Sequence, residues 1–298
     1  MKKCEPLISQ NKNIYFSWLI EEKMGAIVWL ASFPKSGNTW VRHYLHALLN
    51  DGKQSINAMN TLTVGDASAD WYRPYLKQPI ECCSNEEIAS VRQKALRGLA
   101  AQSDGLVFVK THNALVSHHG VPMIEGSVTA GVIYVVRNPL DVAISLASFQ
   151  GVSIDTAIDE MLMQGAMGPT SEKFAYQYFG SWAEHVESWT RRPMRQLHVM
   201  RYEDMLEKPK QTFADLAKFL LIPAPPSAIR KAIEASSFDK LRKEEEEQGF
   251  VERPDTADRF FRAGKSGQWR DVLSAGQVKR LTDGLGPQME RFGYLPDD

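Results

Sequence analysis

Lys35, Lys110, His112, Arg137 and Tyr202 each fall just beyond a short apolar run of this 298-residue chain, at 27–30, 106–109, 132–136 and 197–200. Two ammonium groups and a guanidinium in such places suit an anion of the phosphate or sulfate kind, which the guanidinium can hold with two parallel bonds. Ser145, about two turns into the helix expected after Arg137, adds a hydroxyl to the same clamp. His112 differs in kind. An imidazole titrates near neutrality, which suits taking a proton from a hydroxyl as that hydroxyl attacks. Residues two apart in an extended segment share a face, so Lys110 and His112 point the same way. These residue types describe the transfer of an anionic group to a hydroxyl oxygen.

Lys35 lies in the stretch around which the chain is organised, I-V-W-L-A-S-F-P-K-S-G-N-T-W-V-R-H-Y-L-H-A-L-L at 27–49. Its first part reads as a buried strand, and the apolar spacing becomes helical from Trp40. In the turn between them Gly37 permits close backbone approach, Ser36 or Asn38 can cap the helix, and Thr39 adds a hydroxyl. The first N–H groups of that helix have no intrahelical partner, so an anion belongs there, with Lys35 at its mouth. A Walker A loop has the order G-x-x-x-x-G-K-[ST], whereas here Lys35 precedes Gly37. Phosphoryl transfer from a nucleoside triphosphate usually calls for Mg²⁺ and a carboxylate to hold it. A sulfuryl group carries less charge, and a lysine can neutralise its leaving group without a metal.

Composition bounds the partners. With 35 Lys and Arg against 36 Asp and Glu, the net charge is -1, which gives no field for nucleic acid or an anionic membrane. Cys4, Cys82 and Cys83 have no metal-site spacing and make no disulfide framework, so a reducing, cytoplasmic setting is expected. No run approaches the roughly 18 apolar residues of a membrane span, and no secretion signal is read at the N-terminus.

Short buried strands separated by helices imply a doubly wound α/β fold, a central and mainly parallel sheet with helices on both faces. Ligands in such folds gather at the carboxyl ends of the strands, where the residues above fall. Beyond the helix that opens at Trp40, the spacing predicts helices over 86–101, 140–149, 174–189, 209–221 and 227–235, with Asn85 capping the first of these. One domain over 1–298 is expected, with 1–25 a loose lead-in and 51–86 irregular. Residues 242–261 read as a lid, and the glutamates at 244–247 as a solvated helix face. Met161, Met163 and Met167, with Phe149 and the cluster of Trp71, Tyr72 and Tyr75, suggest an adaptable, partly apolar acceptor pocket, core packing being the alternative for each.

The strand–P-K-S-G-N-T-W–helix unit strongly resembles the 5′-phosphosulfate loop of sulfotransferases that use 3′-phosphoadenosine 5′-phosphosulfate (PAPS) and release PAP. R-N-P-L-D-V-A-I-S at 137–145 resembles that family's 3′-phosphate motif, and K-T-H at 110–112 its catalytic triplet. R-A-G-K-S-G-Q-W at 262–269 resembles its R-K-G-x-x-G-x-W stretch, with Ala263 where a lysine is usual. The resemblance runs from residue 27 to about 270, and the spelling of the first loop is more like that of bacterial small-molecule enzymes than of animal phenol enzymes.

The resemblance implies a P-loop-like three-layer fold and a site for PAPS. Lys35, Ser36, Gly37, Asn38 and Thr39 would hold the 5′ end. Trp40 and Tyr202 would hold the adenine, with Ser236, Ser237 and Phe238 on its other side. Arg137, Ser145, Arg262, Ala263 and Gly264 would meet the 3′-phosphate, one cationic contact short at Ala263 unless Lys265 compensates. His112 would act as base, Lys35 and Lys110 would stabilise the leaving group, and Ser145 would also hold Lys35 back until an acceptor is bound. No metal is implied. The family's C-terminal dimer motif is not matched by Arg270, Ser274, Ala275 and Lys279, so the oligomeric state stays open. Two rival readings are a P-loop kinase and a nucleotide-binding module without turnover.

Overall fold

In the computed structural model, residues 25–53, 55–192 and 195–296 are described; the expected lead-in lies almost wholly outside them. Five strands form the main sheet: β1 (Ala26–Ser32), β2 (Thr63–Gly65), β3 (Leu106–Thr111), β4 (Thr129–Val136) and β5 (Leu197–Arg201). Their order is β2-β3-β1-β4-β5, and every pairing is parallel. This is the expected fold class. All seven residues of β1 are buried, because a central parallel strand is covered on both faces.

The period of two along β1 divides the core. Ile27, Trp29 and Ala31 join one apolar cluster, and Ala26, Val28 and Leu30 the other. The first cluster takes in helices α2 (Asn85–Ala100), α3 (Pro139–Gln150), α4 (Ile154–Leu162), α5 (Trp182–Thr190) and α10 (Ala275–Arg291). The second takes in α1 (Asn38–Leu49), α6 (Tyr202–Glu207), α7 (Pro209–Phe219) and α8 (Pro226–Ala235). Helix α9 (Phe238–Gln248) leads into the 249–261 segment, and Leu241 joins Phe250, Phe261, Ile56 and Met59 in a smaller cluster.

Several boundaries differ from the spacing-based reading for local reasons. The aromatic stretch from 174 is not helical until Trp182; Gly180 has φ 65, and Ser181 and Glu184 form a capping box that fixes the start there. Ser84, rather than Asn85, caps α2 through a box with Glu87. The irregular 51–86 stretch hides edge strand β2, only three residues long. Among the described residues no helix is long and apolar enough to cross a membrane.

The joint between β1 and α1 is tied by a side chain. Asn38 Nδ2 donates to the Leu30 carbonyl at 2.7 Å, wholly buried. Asn38→Ala removes that bond and is expected to lower stability by about 1–3 kcal/mol, read as a lower urea midpoint at unchanged slope. An unmoved midpoint would show that the tie carries no stability.

Candidate active site

The turn from β1 into α1 reverses the chain through two left-handed residues, Lys35 at φ 65 and Gly37 at φ 108. Such a conformation strains a lysine and is free to glycine. A Cβ on Gly37 would also meet the Tyr202 ring at 2.7 Å, so glycine is required there twice over. Trp40 and Val41 donate to the Gly37 carbonyl, leaving the earlier N–H groups of the first turn for a ligand. Ser36 Oγ, Asn38 Oδ1, Trp40 Nε1 and Arg137 Nε are buried without a hydrogen-bond partner. Buried polar atoms seldom go unpaired, and these gather about one loop.

Arg137 reaches this loop from the end of β4. One of its Nη atoms donates to the Lys35 carbonyl and the other to the Lys265 carbonyl, each at 3.1 Å, while the guanidinium lies 4.2 Å over the Tyr202 ring. Asn138 caps α3 by accepting from Leu140 N–H, and its own N–H donates to Glu203. Asp141 pins the 262–269 loop above this corner, its two oxygens accepting from the N–H groups of Gly267 and Trp269 at 2.6 and 3.1 Å. Gly264, at φ 60, lies against the Phe238 ring so closely that a Cβ would run into it. Trp40 and Tyr202 meet edge to face at 5.8 Å, offering aromatic surface suited to a purine.

Lys35 Nζ sits 4.0 Å from the centre of the Phe149 ring and 4.2 Å from that of Phe260. The ammonium rests on these rings, and no hydrogen bond joins it to the Ser145 hydroxyl. Burial first, then the charges of Arg137 and Lys110, lower its pKa to about 7. An arriving anion would reverse that shift.

His112 lies beyond the end of β3. Its Nδ1 is 2.7 Å from the Ser32 carbonyl, which can only accept, so Nδ1 carries the proton and Nε2 keeps a free lone pair. Burial, and then Lys110, hold its pKa down at about 3; the ring is therefore neutral over the whole physiological range, not titrating near neutrality as expected. His185 supports the base: its Nε2 donates to the His112 carbonyl at 3.2 Å and its Nδ1 accepts from the Tyr134 hydroxyl at 2.9 Å. Asp66 fixes the flanking residues, Oδ2 accepting from Thr111 Oγ1 at 2.7 Å and Asn113 Nδ2 at 2.8 Å.

All the sequence-predicted site residues line one cleft of about 1160 Å³ except Ser36, buried beneath the loop, and Ser237, which precedes α9. That volume exceeds the usual range for one small ligand, roughly 300–1,000 Å³, and leaves room for a nucleotide and an acceptor together. Ser236 lines the cleft, but its hydroxyl donates to the Ala232 carbonyl of its own helix at 2.9 Å. Trp71, Phe149, Phe174 and Phe179 add aromatic surface to the cleft, with Asp70 and Lys173 also lining it. The methionines do not belong to it: Met161 is core, and Met163 and Met167 are exposed. Tyr72 is buried, its hydroxyl accepting from Arg92 at 2.8 Å, and Tyr75 faces solvent.

The glutamate run is not a solvated face throughout. Glu244 accepts from Ile56 N–H, and buried Glu245 accepts from the N–H groups of Phe260 and Phe261. Sequence reasoning also missed Arg42, Asp141 and Glu252. Asp141 stands inside the 137–145 motif and Arg42 inside the 27–49 stretch, but the partner that gives Arg42 its meaning lies 210 positions away.

A sulfotransferase domain model matches residues 26–293. Sulfotransferase 1A1 of Canis lupus familiaris is 24% identical over 276 residues, covering 89% of this chain and 83% of that protein. The 3-alpha-hydroxysteroid sulfotransferase of Cavia porcellus is 27% identical over 271 residues, covering 89% and 83%. Among solved structures, retinol dehydratase in complex with androsterone and inactive cofactor PAP superposes with a TM-score of 0.59 at 20% identity, covering 89% of this chain and 80% of that one; at that identity the likeness is one of fold. The chain belongs to the sulfotransferase domain family, whose activity is PAPS-dependent sulfuryl transfer to hydroxyl acceptors.

Proposed function

We propose that this chain moves the sulfuryl group of PAPS to a hydroxyl of a small, partly aromatic alcohol or phenol, giving a sulfate ester and PAP. The observation that carries the reading is the pairing, in one cleft, of an anion-seeking loop with a histidine whose Nε2 is free. Lys35, Arg137 and the unpaired Ser36 Oγ and Arg137 Nε supply the first; the Ser32 carbonyl, by fixing the tautomer of His112, supplies the second.

The acceptor oxygen attacks sulfur in line with the bond to the 5′-phosphate. As the new S–O bond forms, His112 Nε2 takes the acceptor proton, and the electron pair of the breaking bond passes to the phosphate oxygen. Lys35, Lys110 and the N–H groups at the start of α1 stabilise the charge that collects there. Arg137 and Ser145 hold the 3′-phosphate together with the 262–264 backbone, and Ala263 leaves that grip without the family's usual lysine. The low basicity of His112 in the empty cleft rises when the anionic sulfuryl group stands beside it, so proton transfer is timed to attack. A cytoplasmic setting agrees with the free thiols of Cys82 and Cys83. A single domain accounts for a sheet flanked by two continuous apolar clusters.

Incubation with PAPS and a panel of phenols and alcohols, read by mass spectrometry, should yield acceptors heavier by one SO₃. PAP should raise the melting temperature, and ATP with Mg²⁺ should not. His112→Ala is expected to keep the PAP response and lose about 10²–10⁴ in kcat. Stabilisation by ATP with Mg²⁺ but not by PAP would overturn the assignment in favour of a kinase, and a PAP response without turnover on any acceptor would favour a binding module.

The lowered pKa of Lys35 has a direct consequence for binding. Above pH 7 the empty protein holds this amine largely neutral, and a bound anion restores its charge, so binding takes up a proton. Calorimetric titration with PAP at pH 8, in buffers of different ionisation enthalpy, should show uptake approaching one proton. The uptake should fade toward pH 6, where Lys35 is already charged, and should largely vanish at pH 8 in Lys35→Arg. Equal uptake in wild type and variant would contradict the assignment of the proton to Lys35.

A further inference from the structure

The cleft contains a carboxylate that the reaction as described does not use. Glu252, on the 249–261 segment, accepts from Arg42 Nη1 at 3.0 Å, pairs through its other oxygen with Arg42 Nη2 at 2.9 Å, and stands 3.6 Å from Lys110 Nζ. Arg42 is itself immobilised. It is 1% exposed, its Nε donates to Thr63 Oγ1 at 2.8 Å and its Nη2 to Asn60 Oδ1 at 2.6 Å. Glu252 is therefore aimed by a buried guanidinium on α1, the helix that opens at the anion-seeking loop.

Lys110 needs such a partner. Lys35 faces it from the loop, Arg42 from α1 and His112 from just beyond its own strand, two cations and a neutral ring. Asp66, just beyond β2, also faces it, but Oδ2 is engaged by Thr111 and Asn113, and burial pushes that carboxyl up. Among the described residues Glu252 is the carboxylate at ion-pair distance from Lys110. Burial alone would raise the Glu252 carboxyl, yet Lys110 and Arg42 bring it down to about 2, so it is an anion throughout the working range. The 249–261 segment reaches this place through Asn57, which accepts from Val251 N–H at 3.0 Å and donates to the Gly249 carbonyl at 3.2 Å.

We propose that Glu252 is a positioning residue that keeps Lys110 charged and directed into the cleft, and that it does so only while the 249–261 segment is packed down. The segment thus acts as a charge switch as well as a cover. With Glu252 withdrawn, Lys110 loses the carboxylate it pairs with, still faces Lys35 and Arg42, and holds its proton less tightly. A neutral amine cannot stabilise the departing phosphate, so transfer waits for closure.

The proposal rests on the role given above to Lys110, and its test separates the two. In wild type, Glu252→Gln and Glu252→Asp, kcat is followed against pH at saturating PAPS and acceptor. Because the active form needs Lys110 protonated, activity falls as pH rises through its pKa. An opposite charge at this range moves a pKa by about one to three units, so the alkaline fall in Glu252→Gln should lie lower by that amount, with Glu252→Asp restoring much of it. The second readout is independent of turnover: the ¹³Cε shift of Lys110 in lysine-labelled protein, assigned with Lys110→Arg, should show the same displacement in Glu252→Gln. A uniform loss of kcat at every pH, with the Lys110 titration unmoved, would overturn the proposal. A displaced Lys110 titration in a protein without PAPS turnover would sustain the charge coupling and sink the catalytic reading instead.

Discussion

Holding Lys35, Lys110, Arg42 and Arg137 about one cleft is the constraint on which the rest of the structure turns. Each desolvated cation disfavours the charge of its neighbours, and the fold answers each in a different way. Arg137 gives its N–H groups to two backbone carbonyls and lies on an aromatic ring. Arg42 takes a carboxylate, an amide oxygen and a hydroxyl. Lys35 rests on two phenylalanine rings with no carboxylate at ion-pair distance among the described residues, and its proton becomes loosely held. The unsatisfied remainder of this arrangement is the binding energy available to an anion.

The sheet makes such crowding possible. Parallel strands β1, β3 and β4 end side by side, so Lys110 near the end of β3 and Lys35, His112 and Arg137 beyond the strand ends come to one side of the sheet. Helix α1 then faces its N-terminus into the same opening, adding partial positive charge at no desolvation cost of its own. His112 sits against the Ser32 carbonyl because β1 and β3 are adjacent. Strand pairing thus sets the tautomer of the base, and His185 locks the backbone that carries it.

Much of this was legible in the residues. Buried strands with polar ends gave the fold class, and the order of Lys35 and Gly37 set this loop apart from a Walker A loop. Ser36, Arg137 and His112 were identified from local spelling, and the geometry gathers them about one cleft. What local spelling does not carry is pairing across the chain. Glu252 looks like one more charge in a polar segment until Arg42, far away in sequence, is folded beneath it. The methionines near 161–167 stayed open between pocket and core for a related reason: an apolar residue type does not say whether it meets a cavity, the core or solvent. The neutral state of His112 likewise follows from burial beside Lys110 and not from anything a strand-end histidine reveals on its own.

The central claim is that the cationic cleft, with its unpaired buried donors, is the complement of a nucleotide phosphorylated at both ends. A crystal structure of the protein with PAP tests it most directly. The 5′-phosphate is expected on Lys35 Nζ and Ser36 Oγ, the 3′-phosphate on Arg137 with its Nε now engaged, and His112 Nε2 open to the space beyond the 5′ end. PAP bound away from β1 and β4, or Ser36 Oγ and Arg137 Nε still without partners in the complex, would contradict it.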